Sequence, residues 1–314
     1  MTGAGDKRRC TRVFGPVPSR RLGLSLGVDP IPLKTCSMDC VYCELGPTTD
    51  LTVRRTAFVE PGEVLRDVAD RVPACPKLDF ITLSGSGEPT LHSGLAEIIA
   101  GVRRLTDVPV AVLTNGSLMT DLDVRSALDL ADVVLPSLDA VSPEVFRAVN
   151  RPHPSLDPAA IAAAIGEFAR TSKAAVWLEC AFVTDVNDSD CEVRLLRDAI
   201  DDIDPERVHV NTVVRPPAVA GTRPVSSDRL ARIAEMLGPR AEVIAPPAVV
   251  SSREIATDAS EIVIAMAARR PVTASDVARS LGTSPANAER ILAELVEKNL
   301  LTLVRHGEKL YHKA

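Results

Sequence analysis

The chain has 314 residues, 46% of them hydrophobic but only 3% aromatic, so it can bury a sizeable core built mainly from aliphatic side chains. A net charge of -6 and a pI near 5.5 give no general attraction to nucleic acid or to an anionic membrane. Met1 to Cys10 is polar and basic without an apolar signal core, and no apolar run reaches the length of a membrane span, so a soluble cytoplasmic protein with no membrane partner is expected.

Residues 1–12 are expected to be disordered. Residues 14–23 carry Gly15, Pro16, Pro18 and the paired Arg20 and Arg21, and read as a turn-rich lead-in. A short strand over 24–29 is ended by Pro30 and Pro32. From residue 61 the pattern alternates. Helices are predicted over 61–72, 92–105, 121–130, 143–149, 158–171 and 189–203, and strands over 78–83, 108–113, 132–138, 174–183 and 208–214. The strands are short runs of Val, Ile and Leu, as buried parallel strands require. Repeated βα units give an open sheet or a barrel, and periodicity does not choose between them.

After residue 214 a further helix (227–237) and an edge strand (241–244) complete a first domain, 13–245. Residues 246–257 read as a Pro- and Ser-rich linker. Residues 258–314 hold three helical patterns, 261–269, 273–282 and 285–298, then a hairpin over 300–312. This order resembles a winged helix-turn-helix. Its basic and acidic residues nearly balance, and Glu289, Glu294 and Glu297 sit on the third helix, so docking of a partner or substrate competes with nucleic-acid binding as its role.

The densest chemistry is Cys36-Ser37-Met38-Asp39-Cys40-Val41-Tyr42-Cys43, with thiols spaced by three and then two residues. A structural zinc site wants four closed ligands, and this loop offers three. A 4Fe–4S cluster held by three cysteines leaves one iron open to a ligand. Cys10, Cys75, Cys180 and Cys191 are scattered, and buried thiols of that kind are usually small core residues. Ser84-Gly85-Ser86-Gly87-Glu88-Pro89-Thr90 follows the second strand, where glycines let backbone approach a ligand beside a carboxylate. Asn115 with Gly116 ends the third strand, as a plain turn or a contact. Ser137 and Asp139 end the fourth on one face, suited to ribose hydroxyls. Glu179 and Asn211, within later strands, are expected to face a lumen or, for Glu179, to pair with an arginine. Arg20, Arg21, Arg54 and Arg55 flank the loop as solvated charges or as a grip for an anionic substrate.

The CxxxCxxC loop with this ordered set of strand ends resembles the radical S-adenosylmethionine (SAM) superfamily over about residues 13–214. The resemblance implies an α/β fold, a partial (β/α)6 TIM-like barrel, followed by the small C-terminal winged helix-turn-helix. It implies a 4Fe–4S cluster on Cys36, Cys40 and Cys43, with SAM chelated at the open iron and cleaved reductively to methionine and a 5′-deoxyadenosyl radical. Gly85, Gly87, Glu88 and Pro89 would stand where the family has Gly-Gly-Glu-Pro, with Glu88 at the ammonium group and Ser86 as a departure. Asn115 would lie near methionine or ribose, and Tyr42 against adenine. An electron donor of flavodoxin or ferredoxin type is implied, and a substrate that is RNA, peptide or small molecule. The lead-in resembles a branch akin to wybutosine-synthesising and glycyl-radical-activating enzymes. The alternatives are an iron–sulfur sensing, DNA-binding regulator and a zinc-containing binding module.

Overall fold

The computed structural model describes residues 12–75, 77–244 and 259–314. The expected N-terminal disorder, apart from Arg12, and the expected linker lie outside the described residues.

The chain begins with β1 (Val13–Ser19), antiparallel to β2 (Gly23–Val28). This departs from the turn-rich lead-in expected there. Pro16 and Pro18 lack an N–H, but β1 is an edge strand, where only one side must pair, and its register shifts between Phe14 and Val17. Two short strands, β3 (Thr35–Cys36) and β4 (Asp50–Leu51), pair within the cysteine segment. Then come α1 (Pro61–Arg71), β5 (Phe80–Leu83), α2 (Leu95–Leu105), β6 (Val110–Thr114), α3 (Leu122–Leu128), β7 (Val133–Pro136), α4 (Pro143–Asn150) and α5 (Pro158–Thr171). The alternation continues through β8 (Ala175–Phe182), α6 (Asp190–Ile203), β9 (Arg207–Thr212), α7 (Ser227–Leu237) and β10 (Ala241–Val243). Local chemistry sets many of the helix starts. Pro61, Pro143 and Pro158 occupy first turns, and Asp121, Asp157, Ser189 and Ser226 accept backbone N–H groups as caps.

Eight strands form one sheet in the order β1-β2-β5-β6-β7-β8-β9-β10, parallel from β2 onward. Alternation sorts its two faces. Leu26, Ile81, Leu83, Val112, Val134, Leu178 and Val210 face the helices in the main core. Ala111, Val133, Leu135 and Trp177 face the other way and pack on Leu22 from the β1–β2 turn. That second face is concave: Arg20, beside Leu22, donates through Nη1 to Asn211 Oδ1 of β9 at 2.9 Å, and Arg21 pairs with Glu179 of β8. These contacts join strands that are far apart in the sheet order, so the sheet curls.

The C-terminal segment is α8 (Ala259–Arg269), α9 (Ala274–Leu281), α10 (Pro285–Glu297) and the hairpin β11 (Thr302–His306) with β12 (Lys309–Lys313). Thr273 and Asp276 form a capping box on α9, and Gly282 closes that helix in the left-handed conformation. Phe14 and Val17 of β1 lie within the core of these helices, beside Val263, Met266, Val277 and Leu292. Ser280 donates to the Pro16 carbonyl, and Tyr311 donates to the Val214 carbonyl at 2.6 Å. The packing therefore couples β1 to the C-terminal helices.

Candidate active site

A cavity of about 390 Å³ runs along the concave face, from the β1–β2 turn to the C-terminal ends of the parallel strands. Alternate residues line it: Thr82 and Ser84, Leu113 and Asn115, Leu135 and Ser137, Glu179 and Ala181, Asn211 and Val213. Leu113 and Leu135 give the middle of the wall an apolar stretch, and Ser84, Asn115 and Ser137 give it polar strand ends above.

Cys36, Cys40 and Cys43 open onto this cavity. The loop that carries them is held at many points. Met38 bridges Pro152, Val41 N–H donates to Val149 O at 3.0 Å and His153 N–H to Ser37 O at 2.9 Å, so the end of α4 clamps it. Arg151, at φ 44°, turns the chain there. Each thiol also faces a side-chain N–H: Lys34 Nζ lies 3.1 Å from Cys43 Sγ, Asn150 Nδ2 3.4 Å from Cys40 Sγ, and Asn115 Nδ2 3.5 Å from Cys36 Sγ. Burial, then Glu88, pushes the Cys36 thiol up to about 12, and burial, then Asp139, raises Cys40 well above its usual value. Such thiols are poor nucleophiles until a cation replaces their protons. Among the described residues, no three Cys, His, Asp or Glu side chains close on one point at single-ion distance. Three free thiols that open onto one cavity are a donor set suited to a polynuclear cluster, whose irons each take a different thiolate.

The glycine loop lies against the cysteine segment. Glu88 N–H donates to Thr35 O at 3.2 Å, and Lys34 N–H to Ser86 O at 2.7 Å. Asp29 accepts from Ser86 N (3.1 Å) and Ser86 Oγ (2.6 Å). Gly85 sits at φ +133°, and a Cβ there would fall 2.6 Å from Asp29 Cγ, so no larger residue fits. Glu88 is buried and accepts from Thr90 N (3.0 Å), Thr90 Oγ1 (2.6 Å), Thr114 Oγ1 (2.6 Å) and Asn115 N (2.7 Å). Burial raises its pKa, and those four donors oppose the rise. Only one of them reaches Oε2, which leaves that oxygen capacity for a further donor.

Cys36, Cys40, Tyr42, Cys43, Gly85, Gly87, Glu88, Asn115 and Ser137 all line the cavity, whereas Pro89 and Asp139 do not. Asp139 is buried behind the wall. It accepts from Tyr42 Oη, from Asn150 Nδ2 at 2.6 Å and from Ala181 N at 2.8 Å. It thereby orients Tyr42 and the same Asn150 amide that faces Cys40. The Asn115 amide is also tied locally, donating to Ser37 Oγ at 2.8 Å and accepting from Ser117 N at 3.0 Å. Glu179 and Asn211 line the cavity as expected, with Glu179 paired to Arg21. Arg55 turns away to Thr90 O and Asp121, and Arg54 is exposed. Cys75 and Cys180 are buried and Cys191 is exposed, all off the cavity wall. Lys34, Asn150, Glu44 and Arg269–Arg270 were not singled out by the sequence. None belongs to a short motif, and only the fold brings them to the thiols or the cavity.

A family model described as the Radical SAM superfamily matches residues 31–195, more than half of the chain. The chain belongs to the radical SAM superfamily. Superfamily members are SAM-cleaving radical enzymes that need an electron donor and a substrate. A protein of Brachyspira hyodysenteriae named GTPase Obg is 32% identical over 93% of this chain, but the chain spans only 43% of that protein. UPF0026 protein MJ1312 of Methanocaldococcus jannaschii is 28% identical over 96% of both chains. Among solved structures, a radical SAM methyltransferase from Sphaerobacter thermophilus superposes with a TM-score of 0.51 over 70% of this chain and 66% of that one, at 20% identity. That last likeness is one of fold: an α/β radical SAM fold with a mostly parallel sheet. No helix among the described residues is long and apolar enough to cross a membrane.

Proposed function

We propose that this radical SAM protein binds a 4Fe–4S cluster through Cys36, Cys40 and Cys43 and cleaves SAM reductively to abstract hydrogen from its substrate. The observation that carries this is the set of three thiols, each faced by an N–H donor, opening onto one cavity that Ser84, Asn115 and Ser137 line from three strand ends. When bound, the cluster supplies one electron to SAM, giving methionine and a 5′-deoxyadenosyl radical. The chain's own residues do the rest. The N–H groups of Lys34, Asn115 and Asn150 stabilise negative charge on the thiolate sulfurs. The free side of Glu88 Oε2 receives the SAM ammonium, with Gly85 and Gly87 giving backbone access. Ser137 bonds ribose, and Tyr42, fixed by Asp139, flanks adenine. Pro89 and Asp139 act behind the wall, by positioning.

In this reading the curled sheet is the partial barrel of the superfamily, and the lead-in sets the chain near the wybutosine-synthesising and glycyl-radical-activating branch. The C-terminal helices and hairpin form a winged helix-turn-helix that serves the cavity, since Arg269 and Arg270 line it. This favours a part in enzyme action over a DNA-binding regulator. The reductant is of flavodoxin or ferredoxin type.

Anaerobic reconstitution with iron and sulfide, followed by dithionite and SAM, tests the proposal. 5′-Deoxyadenosine and methionine are expected in equal amounts. A reconstituted protein that makes neither is not a SAM-cleaving enzyme.

A further inference from the structure

We propose that Arg20, Arg21 and Arg270 form an oxyanion site that holds a phosphoryl group of a small-molecule substrate; this rests on the enzymatic reading above. All three line the cavity onto which the cysteines open. Arg20 and Arg21 come from the β1–β2 turn, and Arg270 follows the last residue of α8. They therefore approach from separate elements.

Their partners do not balance them. Arg21 pairs with Glu179. Arg20 has only the neutral Asn211 oxygen, with no carboxylate at ion-pair distance among the described residues. Arg270 reaches the Pro18 carbonyl at 3.5 Å, and its buried Nε has no partner among the described residues. The nearby carboxylates are occupied. Glu44 accepts from Arg215 at 3.2 Å, Asp276 takes Arg215, Arg279 and Thr273, and Asp29 takes Arg269 and Ser86. Burial, then the neighbouring arginines Arg20 and Arg215 respectively, lowers Arg21 and Arg270 to about 10, and both stay charged at neutral pH. Glu44 and Asp276 also attract these arginines at longer range, but with Arg215 the arginines outnumber the carboxylates, and buried cations in excess are costly.

Fastening the C-terminal helices explains Arg270 only through its 3.5 Å contact with Pro18, and does not explain Arg20 or Arg21. That task falls to Arg215 on Asp276, Arg269 on Asp29, Ser280 on Pro16 and Tyr311 on Val214. An anion in the cavity completes the arrangement. A carboxylate is planar and is satisfied by one guanidinium fork, whereas a tetrahedral phosphoryl group offers acceptors in several directions. Guanidiniums converging from different elements suit the second.

The test uses the full chain, kept anaerobic, with inorganic pyrophosphate as the probe. Arginines are modified with phenylglyoxal with and without pyrophosphate and mapped by peptide mass. Arg20, Arg21 and Arg270 should be protected, while the exposed Arg54 and Arg66 react equally in both samples. Absent or uniform protection overturns the site. Arg20→Gln should weaken pyrophosphate binding roughly ten- to a hundredfold, Arg20→Lys should lose less, and Arg54→Gln should lose nothing. SAM affinity measured on the same Arg20→Gln protein should change far less. An equal loss would assign the arginine to the SAM carboxylate and overturn the phosphate assignment. Protection by a short oligoribonucleotide but not by pyrophosphate would overturn the small-molecule class. A protein that makes 5′-deoxyadenosine yet shows no protection fails only this inference, and one that makes none fails the enzymatic reading.

Discussion

Arg269 Nε lies 3.0 Å from Asp29 Oδ2, and that same carboxylate holds Ser86 by its N–H and its hydroxyl. The C-terminal helices thus reach the glycine loop through one side chain, 240 residues along the chain from its partner. The guanidinium also sits 4.7 Å over the Phe14 ring, inside the shared core.

Removing residues 259–314 should therefore damage the site as well as the unit removed. Phe14 and Val17 would lose their cover, and Asp29 would lose its cation. SAM binding should fall with the melting temperature. In the full chain, Arg269→Ala leaves Asp29, 4% exposed, without its pair, and should cost ~3–5 kcal/mol in denaturant unfolding. A truncated protein that binds SAM as tightly as the full chain would show that the contact is incidental.

Cys36→Ala, Cys40→Ala and Cys43→Ala should each lose the cluster and all SAM cleavage, because two thiolates are too few to hold it. Cys75→Ala and Cys191→Ala should keep full iron content, since neither thiol reaches the cavity. Iron analysis after anaerobic reconstitution decides this. Full iron in any one of the first three would break the ligand assignment.

Glu88 is bound both to the fold and, as proposed, to SAM. Glu88→Ala leaves the Thr90, Thr114 and Asn115 donors facing a void, at about 1–3 kcal/mol for each group left unpaired. The melting temperature should drop together with a roughly ten- to hundredfold loss of SAM affinity. Glu88→Gln should recover part of the stability. A loss of SAM binding with no loss of stability would mean that the hydrogen bonds around Glu88 contribute little to the fold.

Burial, then Arg21 and Arg207, lowers the His209 imidazole to about 4. Glu242 lies 3.4 Å away but is exposed, and its pull is weaker than the desolvation. The folded protein keeps His209 neutral while the unfolded chain protonates near 6.5. Its contribution is therefore complete above pH 6.5 and is lost as the pH falls toward 4, by up to about 3 kcal/mol. His209→Gln should flatten stability against pH across that window. Urea midpoints at several pH values measure it, and parallel curves for the two proteins would remove His209 from the account.

The parallel strands were legible because each is a short aliphatic run, and the cysteine loop because its spacing is local. Glu179 and Asn211 were legible as interior residues because a polar group in an apolar strand needs a lumen or a partner. The strand Val13–Ser19 was not, since its prolines argue against pairing and only its edge position permits it. Lys34 and Asn150 were hidden for a different reason. An N–H aimed at a sulfur depends on where the end of α4 meets the loop, and no residue pattern encodes that meeting. Arg269 and Arg270 lie within a helix and its end that read as part of a separate unit, so their place in the cavity wall emerges only from the fold.

Leu22 closes the lower end of the concave face against Ala111, Val133 and Trp177. The cysteines open onto the cavity above it, where the strands end. The turn that sets Leu22 there also carries Arg20 and Arg21, so its length governs an apolar floor and a charged wall at once.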